Sequence, residues 1–188
     1  VAYWKGLGTQ VSIADAEHWF LEGVSEDFTP AIINLLNLYI DQSSYSAAED
    51  LLQQAIQELS AEERATSNFN FAAGRLYFET SDYENAEIAL LDSLSASISV
   101  FGENSPELWA EYNALGSLYA KILDYESANR FFSLAMSVAE NTGNNEMHYQ
   151  LSVSRNNLAI TLKDQGRVEE SLELLERLLN DPLVQNYN

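Results

Sequence analysis

Residues 112–136 read "YNALGSLYAKILDYESANRFFSLAM". The stretch offers no obvious catalytic group, yet Gly116, Tyr119, Tyr125 and Ala128 are spaced as if each position were required. Ala128, Phe131, Phe132, Ala135, Met136 and Ala139 fall at i, i+3, i+4, i+7, i+8 and i+11, which is one apolar stripe on a helix. Outward from this stretch the pattern recurs. Gly74, Tyr77, Tyr83 and Ala86 stand 42 residues earlier, and Tyr39, Tyr45 and Ala48 a further 38 earlier. Ala159, Leu162, Val168 and Ser171 stand 43 residues later. A register of this kind implies helix–turn–helix units stacked side by side. Gly116 is expected where the two helices of a unit cross closely, with Ala128 as the small residue facing it. Tyr119 fills the space one turn on, and Tyr125 opens the second helix over the turn. All four read as packing positions.

Helix punctuation agrees. Thr29-Pro30 and Ser105-Pro106 place a capping hydroxyl before a proline at the first helical position. "SAEE" at 60–63 and "SDYE" at 81–84 read as capping boxes, with Glu63 and Glu84 reaching back. Gly102, Gly143 and Gly166 follow helical runs, where a left-handed residue ends them. The expected helices are 30–42, 45–59, 61–80, 82–101, 106–122, 125–141, 146–164 and 167–180. Strand-like alternation is absent, so the fold class is all-α. The expectation is a right-handed α-solenoid of antiparallel helix pairs in a single repeat domain, 1–188. Its repeats are 27–60, 61–102, 105–143 and 146–182. Residues 1–26 read as a degenerate N-terminal helix pair, with Ala16 and Phe20 standing 32 before Ala48 and Leu52.

Composition excludes several function classes. Hydrophobic residues make up 46% of the chain and aromatics 11%, enough for an ordered core. Twenty-nine acids against nine bases give a formal charge of −20. That balance argues against contacts to nucleic-acid phosphates or anionic membranes, which need basic surface. No apolar run is long enough for membrane insertion. The absence of cysteine excludes disulfides and thiolate chemistry and suits cytoplasm and periplasm alike, with cytoplasm slightly favoured. The opening "VAYWKGLG" has neither Met nor a signal segment, as expected of a processed product or a piece of a longer protein.

The spacing Leu115-Gly116, Tyr119, Tyr125, Ala128, Phe132, Ala135 resembles the tetratricopeptide repeat. The longer period, "FGENSPELWAEYNALGSLY" and "SRNNLAITLKDQGRVEES" resemble the 42-residue form found in kinesin light chains and many bacterial regulators. The resemblance covers about 27–182. It departs at Leu36, in place of a small residue, and at Leu162 and Val168, in place of tyrosines. Residues 1–31 are similar to the repeat arrays attached to some bacterial transcriptional activators and signalling kinases. The resemblance implies a protein–protein interaction module, without catalysis or cofactor, that binds a peptide or protein segment in a concave groove. It also leaves open a ligand- or signal-peptide-gated regulatory domain of such an activator or kinase.

An enzyme reading has little in the residues to support it. His18 and His148 are far apart without metal-ligand spacing, and "GLG" at 6–8 lacks the rest of a dinucleotide fingerprint. In the family register the groove face carries Asn68, Phe71, Arg75, Phe78 and Glu79 from the second repeat. The third contributes Ala110, Asn113, Ser117, Ala120 and Lys121, and the fourth Val153, Asn156, Ile160, Lys163 and Asp164. Asn113 and Asn156 occupy equivalent positions, and a carboxamide there offers a donor and an acceptor to a peptide main chain. Arg75, Lys121 and Lys163 suit an acidic partner, while Phe71 and Phe78 offer apolar contact. The competing expectation is that the two asparagines bond neighbouring helices and the bases pair with local acids such as Glu79 and Asp164.

Overall fold

A computed structural model describes residues 5, 12–25, 28–140 and 145–180, the side chains of 145–148 excepted. Among these residues the protein is all-α and no strand occurs. The helices are α1 (Ile13–Ser25), α2 (Thr29–Asp41), α3 (Tyr45–Glu58), α4 (Ala61–Arg64) and α5 (Ser67–Glu79). They continue with α6 (Tyr83–Phe101), α7 (Trp109–Lys121), α8 (Tyr125–Glu140), α9 (Asn145–Asp164) and α10 (Val168–Leu179). A 3₁₀ turn, Pro106–Leu108, leads into α7. The chain divides into two compact units, Val1–Ser93 and Leu94–Asn188, and the division falls within α6.

In the first unit, α1 packs on α2, α2 on α3, and both α2 and α3 on α5. One apolar cluster runs through it, from Ala16 and Phe20 on α1 to Leu35, Leu36, Leu52, Phe69 and Leu76. Ala16 and Phe20 thus take the core-facing places expected of a degenerate first unit. The "AYWKGLG" helix expected before them lies, apart from Lys5, outside the described residues, as does Gly143. In the second unit α7 pairs with α8, and α9 packs on α8 and α10. Phe132, Ala128, Leu158 and Leu162 form its buried centre, with Tyr119, Met136 and Leu174 against them.

The close crossing expected at Gly116 is present, but its partner differs. A Cβ added to Gly116 would stand 2.6 Å from the Phe132 ring, so Phe132 faces the glycine, not Ala128. Gly74 repeats this against Leu90, at 2.7 Å. Ala128 is fully buried one turn before Phe132. Tyr119 stacks on Phe131 with centroids 5.4 Å apart and planes 1° from parallel. Ser171, in the register position of Ala128, keeps its hydroxyl satisfied by donating to the Ala159 carbonyl at 2.7 Å.

The hairpin turns share one device. Ser43, Ser81, Leu123 and Gly166 have φ of 55°, 65°, 65° and 79°, and they are related by the same 38, 42 and 43-residue shifts. Each left-handed residue is followed by a residue whose N–H reaches five back, as Asp124 to Tyr119 at 2.9 Å and Arg167 to Leu162 at 2.9 Å. This is the Schellman closure of a helix C-terminus. Asp82 and Asp124 then cap the following helices through the N–H groups of Asn85 (3.3 Å) and Ser127 (3.2 Å). The Ser127 hydroxyl, donating to Asp124 at 2.7 Å, holds that carboxyl below its usual range.

Several expected boundaries change for local reasons. The 61–80 helix divides into α4 and α5 because Thr66 caps a new start, accepting from the Phe69 N–H at 3.4 Å. "SAEE" is a true capping box, with the Ser60 N–H donating to Glu63 at 2.9 Å. In "SDYE" the cap is Asp82 and its partner Asn85, not Glu84. Thr29 is already helical and donates its hydroxyl to Glu63 at 3.2 Å. The Ser105 hydroxyl bonds the Glu107 carboxylate and does not cap.

Leu123 holds a left-handed conformation that disfavours a Cβ, and its side chain is exposed. Leu123→Gly is therefore expected to stabilise the protein by up to about 1 kcal/mol, and Gly166→Ala to cost about as much. Urea unfolding of the two variants checks the opposite signs.

Candidate functional site

The face to consider is built from the first helix of each hairpin. On α2, Asn37 and Asp41 are one turn apart and so share a side of the helix. Arg75 of α5 reaches back to both: Nη1 donates to Asn37 Oδ1 at 2.7 Å and Nη2 to Asp41 Oδ1 at 3.0 Å. The Asn37 amide is itself held, donating to the Ile33 carbonyl at 2.9 Å. Arg75 therefore spends its fork on the preceding hairpin. Glu79 accepts from the Tyr45 hydroxyl at 3.2 Å, and Phe78 is half-buried with its ring 6.2 Å from that of Tyr83. Phe71 is half-buried and Asn68 exposed.

In the second unit α7 and α9 lie side by side. Trp109 Nε1 donates to Ser154 Oγ at 2.8 Å, and Asn157 Nδ2 donates to Asn113 Oδ1 at 3.0 Å. Asn113 thus pairs with Asn157, one residue beyond the Asn156 that the register singled out. Asn156 is exposed, as are Ile160, Lys163 and Asp164. Ser117 donates to the Asn113 carbonyl at 2.9 Å within α7, and Lys121 ends that helix in solvent. Ala110, Ala120 and Val153 are half-buried. Among the described residues Lys121, Lys163, Arg64 and Arg130 have no acid within ion-pair distance, whereas Arg75, Arg155, Arg167 and Arg177 each have one, and of the four without one only the two lysines lie at expected groove positions.

Sequence reasoning missed Asn37, Asp41 and Asn157. The first two had a signal, since Asn37 occupies the register position of Arg75, Ser117 and Ile160 in the hairpin left out of the groove assignment. Asn157 had none, because the repeat register places it beside the groove positions.

Other groups do not compete for the role. His18 is exposed, its ring set edge-on to Trp19 at 5.5 Å. Burial first, then the Glu17 carboxylate that accepts its hydroxyl at 3.0 Å, raises the pKa of Tyr39. No group of three or more possible ligand side chains is placed to hold a metal among the described residues. Within that same set no helix is long and apolar enough to cross a membrane. A cleft of about 290 Å³ opens between α8, α9 and α10 over Leu158, Leu162 and Leu174. Its two guanidiniums, Arg167 and Arg177, are already paired with Glu170 at 2.6 Å and Glu173 at 2.7 Å.

A helical-repeat protein is what these hairpins define, and comparison with known proteins agrees. Residues 151–180 match the family model described as tetratricopeptide repeat. Among solved structures the fold is similar to BtubC (BKLC) from P. vanneervenii, with a TM-score of 0.75 and 20% sequence identity. That similarity covers 85% of this chain and 65% of the BtubC chain, so the protein spans under two-thirds of that structure's length. No curated protein sequence matches the chain. The tetratricopeptide resemblance read from the sequence is thus borne out at the last hairpin, and the likeness to BtubC bears out the helical fold over most of the chain. Repeats of this kind generally mediate protein–protein interaction, and the fold is typically a non-catalytic scaffold.

The pairing of Arg75 separates it from the two lysines. Arg75→Ala is expected to destabilise the protein by about 0.5–1.5 kcal/mol, the value of its hydrogen bonds. Lys121→Ala and Lys163→Ala are expected to stay within about 0.5 kcal/mol of wild type. Thermal unfolding followed by circular dichroism makes the comparison.

Proposed function

We propose that the protein is a docking module that binds an acidic protein segment along the first helices of its second unit. The observation that carries this is the pair Lys121 and Lys163. They are exposed on adjacent helices α7 and α9 and lack an ion-pair partner among the described residues, in a chain of net charge −20. Uncompensated cations on so acidic a molecule concentrate local attraction where a carboxylate can use it. Asn156, exposed on α9 two helical turns before Lys163, offers both a donor and an acceptor to a peptide backbone, and Ile160 offers apolar contact. Ser117 and Asn113 support this face from within: Asn113 fixes α7 to α9 through Asn157 and leaves its neighbour Asn156 available.

The first unit plays a different part in this reading. Its expected groove cation, Arg75, is engaged by Asn37 and Asp41, so Asn68, Phe71 and Phe78 contribute shape and apolar surface rather than charge selection. Acid selection rests with the lysines alone.

A fluorescent Glu-rich peptide titrated against the whole chain tests the assignment by anisotropy. Lys121→Glu with Lys163→Glu is expected to weaken binding by about tenfold or more, one to two charge-assisted contacts. Arg75→Ala is expected to weaken it less. Equal binding to wild type and the double variant contradicts the proposal.

A further inference from the structure

The cleft between α8, α9 and α10 reaches into the core of the second unit. Its floor is Leu158 and Leu162 of α9 with Leu174 of α10, and the first two are only 9% and 5% exposed. Side chains of the buried cluster therefore face an open space of about 290 Å³. The wall on the α8 side is braced. Asn129 exchanges amide hydrogen bonds with Gln165 at 3.3 and 3.1 Å, and Gln165 Nε2 also donates to the Thr161 carbonyl at 3.1 Å. The cleft is thus preformed. Its volume falls at the small end of ligand clefts, about 300 Å³, so the occupant it fits is a small molecule and not a helix.

Two ion pairs of α10 and its N-cap line the rim, and they are not alike. Arg167 closes on Glu170 with both arms of its fork, Nε to Oε1 at 2.7 Å and Nη2 to Oε2 at 2.6 Å. Both oxygens of that carboxylate are engaged. Arg177 reaches Glu173 through Nη2 and Oε1 alone, at 2.7 Å. Glu173 Oε2 and the other Arg177 donors carry no bond among the described residues, and neither does the Ser133 hydroxyl on the α8 wall. The Arg177 and Glu173 side chains are 65% and 64% exposed, and an ion pair so exposed holds weakly, so its members are open to a further partner. One acceptor and several donors therefore stand a helical turn apart beside the leucine floor. An ammonium and a carboxylate carried by one small molecule complement them. A lone anion would meet a chain of net charge −20, and a lone cation would leave the guanidinium unmet, whereas a zwitterion has no net charge. We propose that the cleft binds a small zwitterion with an apolar side chain, an aliphatic α-amino acid. Its side chain lies on the leucine floor, its ammonium on Glu173 Oε2 and its carboxylate on the unused donors of Arg177.

Isothermal titration calorimetry of the whole chain with L-leucine tests this, beside three probes that each lack one part. Glycine lacks the apolar side chain and 4-methylpentanoate the ammonium. L-Leucinamide lacks the carboxylate and stands for the N-terminus of a peptide. Leucine should bind saturably, and each of the three about tenfold or more weakly. Glu173→Gln and Arg177→Gln should each weaken leucine binding about tenfold. Both side chains are exposed, so folding is expected to survive and is checked by thermal unfolding. Lys121→Glu/Lys163→Glu should leave leucine binding unchanged, which separates this site from the docking face proposed above. Absence of saturable leucine binding, equal binding of glycine, or unchanged binding to both glutamine variants overturns the proposal. So does binding of 4-methylpentanoate or leucinamide as tight as that of leucine, because the site would then read one charge and not two.

Discussion

The close approach of Gly116 to Phe132 is the contact on which the rest of the second unit depends. Only a residue without a Cβ leaves room there, since an added methyl would lie 2.6 Å from the ring, well inside van der Waals contact. That closeness draws α8 onto α7 and gives Phe132 its place in the buried centre with Leu158 and Leu162 of α9. Through α8, then, the glycine sets where α9 lies. The Asn113–Asn157 and Trp109–Ser154 bonds can form only once α7 and α9 are so placed. In the first unit Gly74 and Leu90 do the same at the same separation of sixteen residues.

The other hairpins show how far this constraint bends. Leu36 stands in the glycine position of the first full hairpin and Ala159 in that of the last, both fully buried. The residues sixteen on are Leu52 and Leu175, and Leu90 holds that place opposite Gly74, so leucine there occurs with glycine, alanine and leucine alike in the crossing position. The turns tolerate variation differently. Ser43, Ser81 and Leu123 accept the left-handed geometry that Gly166 adopts freely, because the five-back hydrogen bond and the following cap hold each turn from both sides.

Much of this was legible in the sequence because it repeats. The shifts of 38, 42 and 43 residues located four hairpins among the described residues, and the glycine spacing located the helix crossing. What stayed hidden depends on three-dimensional partners that local pattern does not encode. Gly116 named its own need for space but not its occupant, so Ala128 was read where Phe132 stands. "SDYE" fits the capping-box pattern, yet Asp82 outcompetes Ser81 because Ser81 is consumed by the left-handed turn. On the proposed binding face, Lys121 and Lys163, singled out by charge and register, are exposed. Charge and register could not show that Arg75 is engaged by Asn37 and Asp41, because that pairing crosses from one hairpin to the next.

Arg75 is engaged by Asn37 and Asp41 of the preceding hairpin, whereas Lys121 and Lys163, on the helices α7 and α9 that this packing sets side by side, are exposed and have no ion pair among the described residues. The central claim is that the Gly116–Phe132 approach governs this arrangement, and a double-mutant cycle tests it most directly. Gly116→Ala should destabilise the protein by about 1–3 kcal/mol, the usual cost of overpacking. Combined with Phe132→Leu, which gives these positions the residue types that Ala159 and Leu175 hold in the register of the last hairpin, the total loss should fall short of the two single losses by more than about 0.5 kcal/mol. A neutral Gly116→Ala, or strictly additive losses in urea unfolding, would contradict the account.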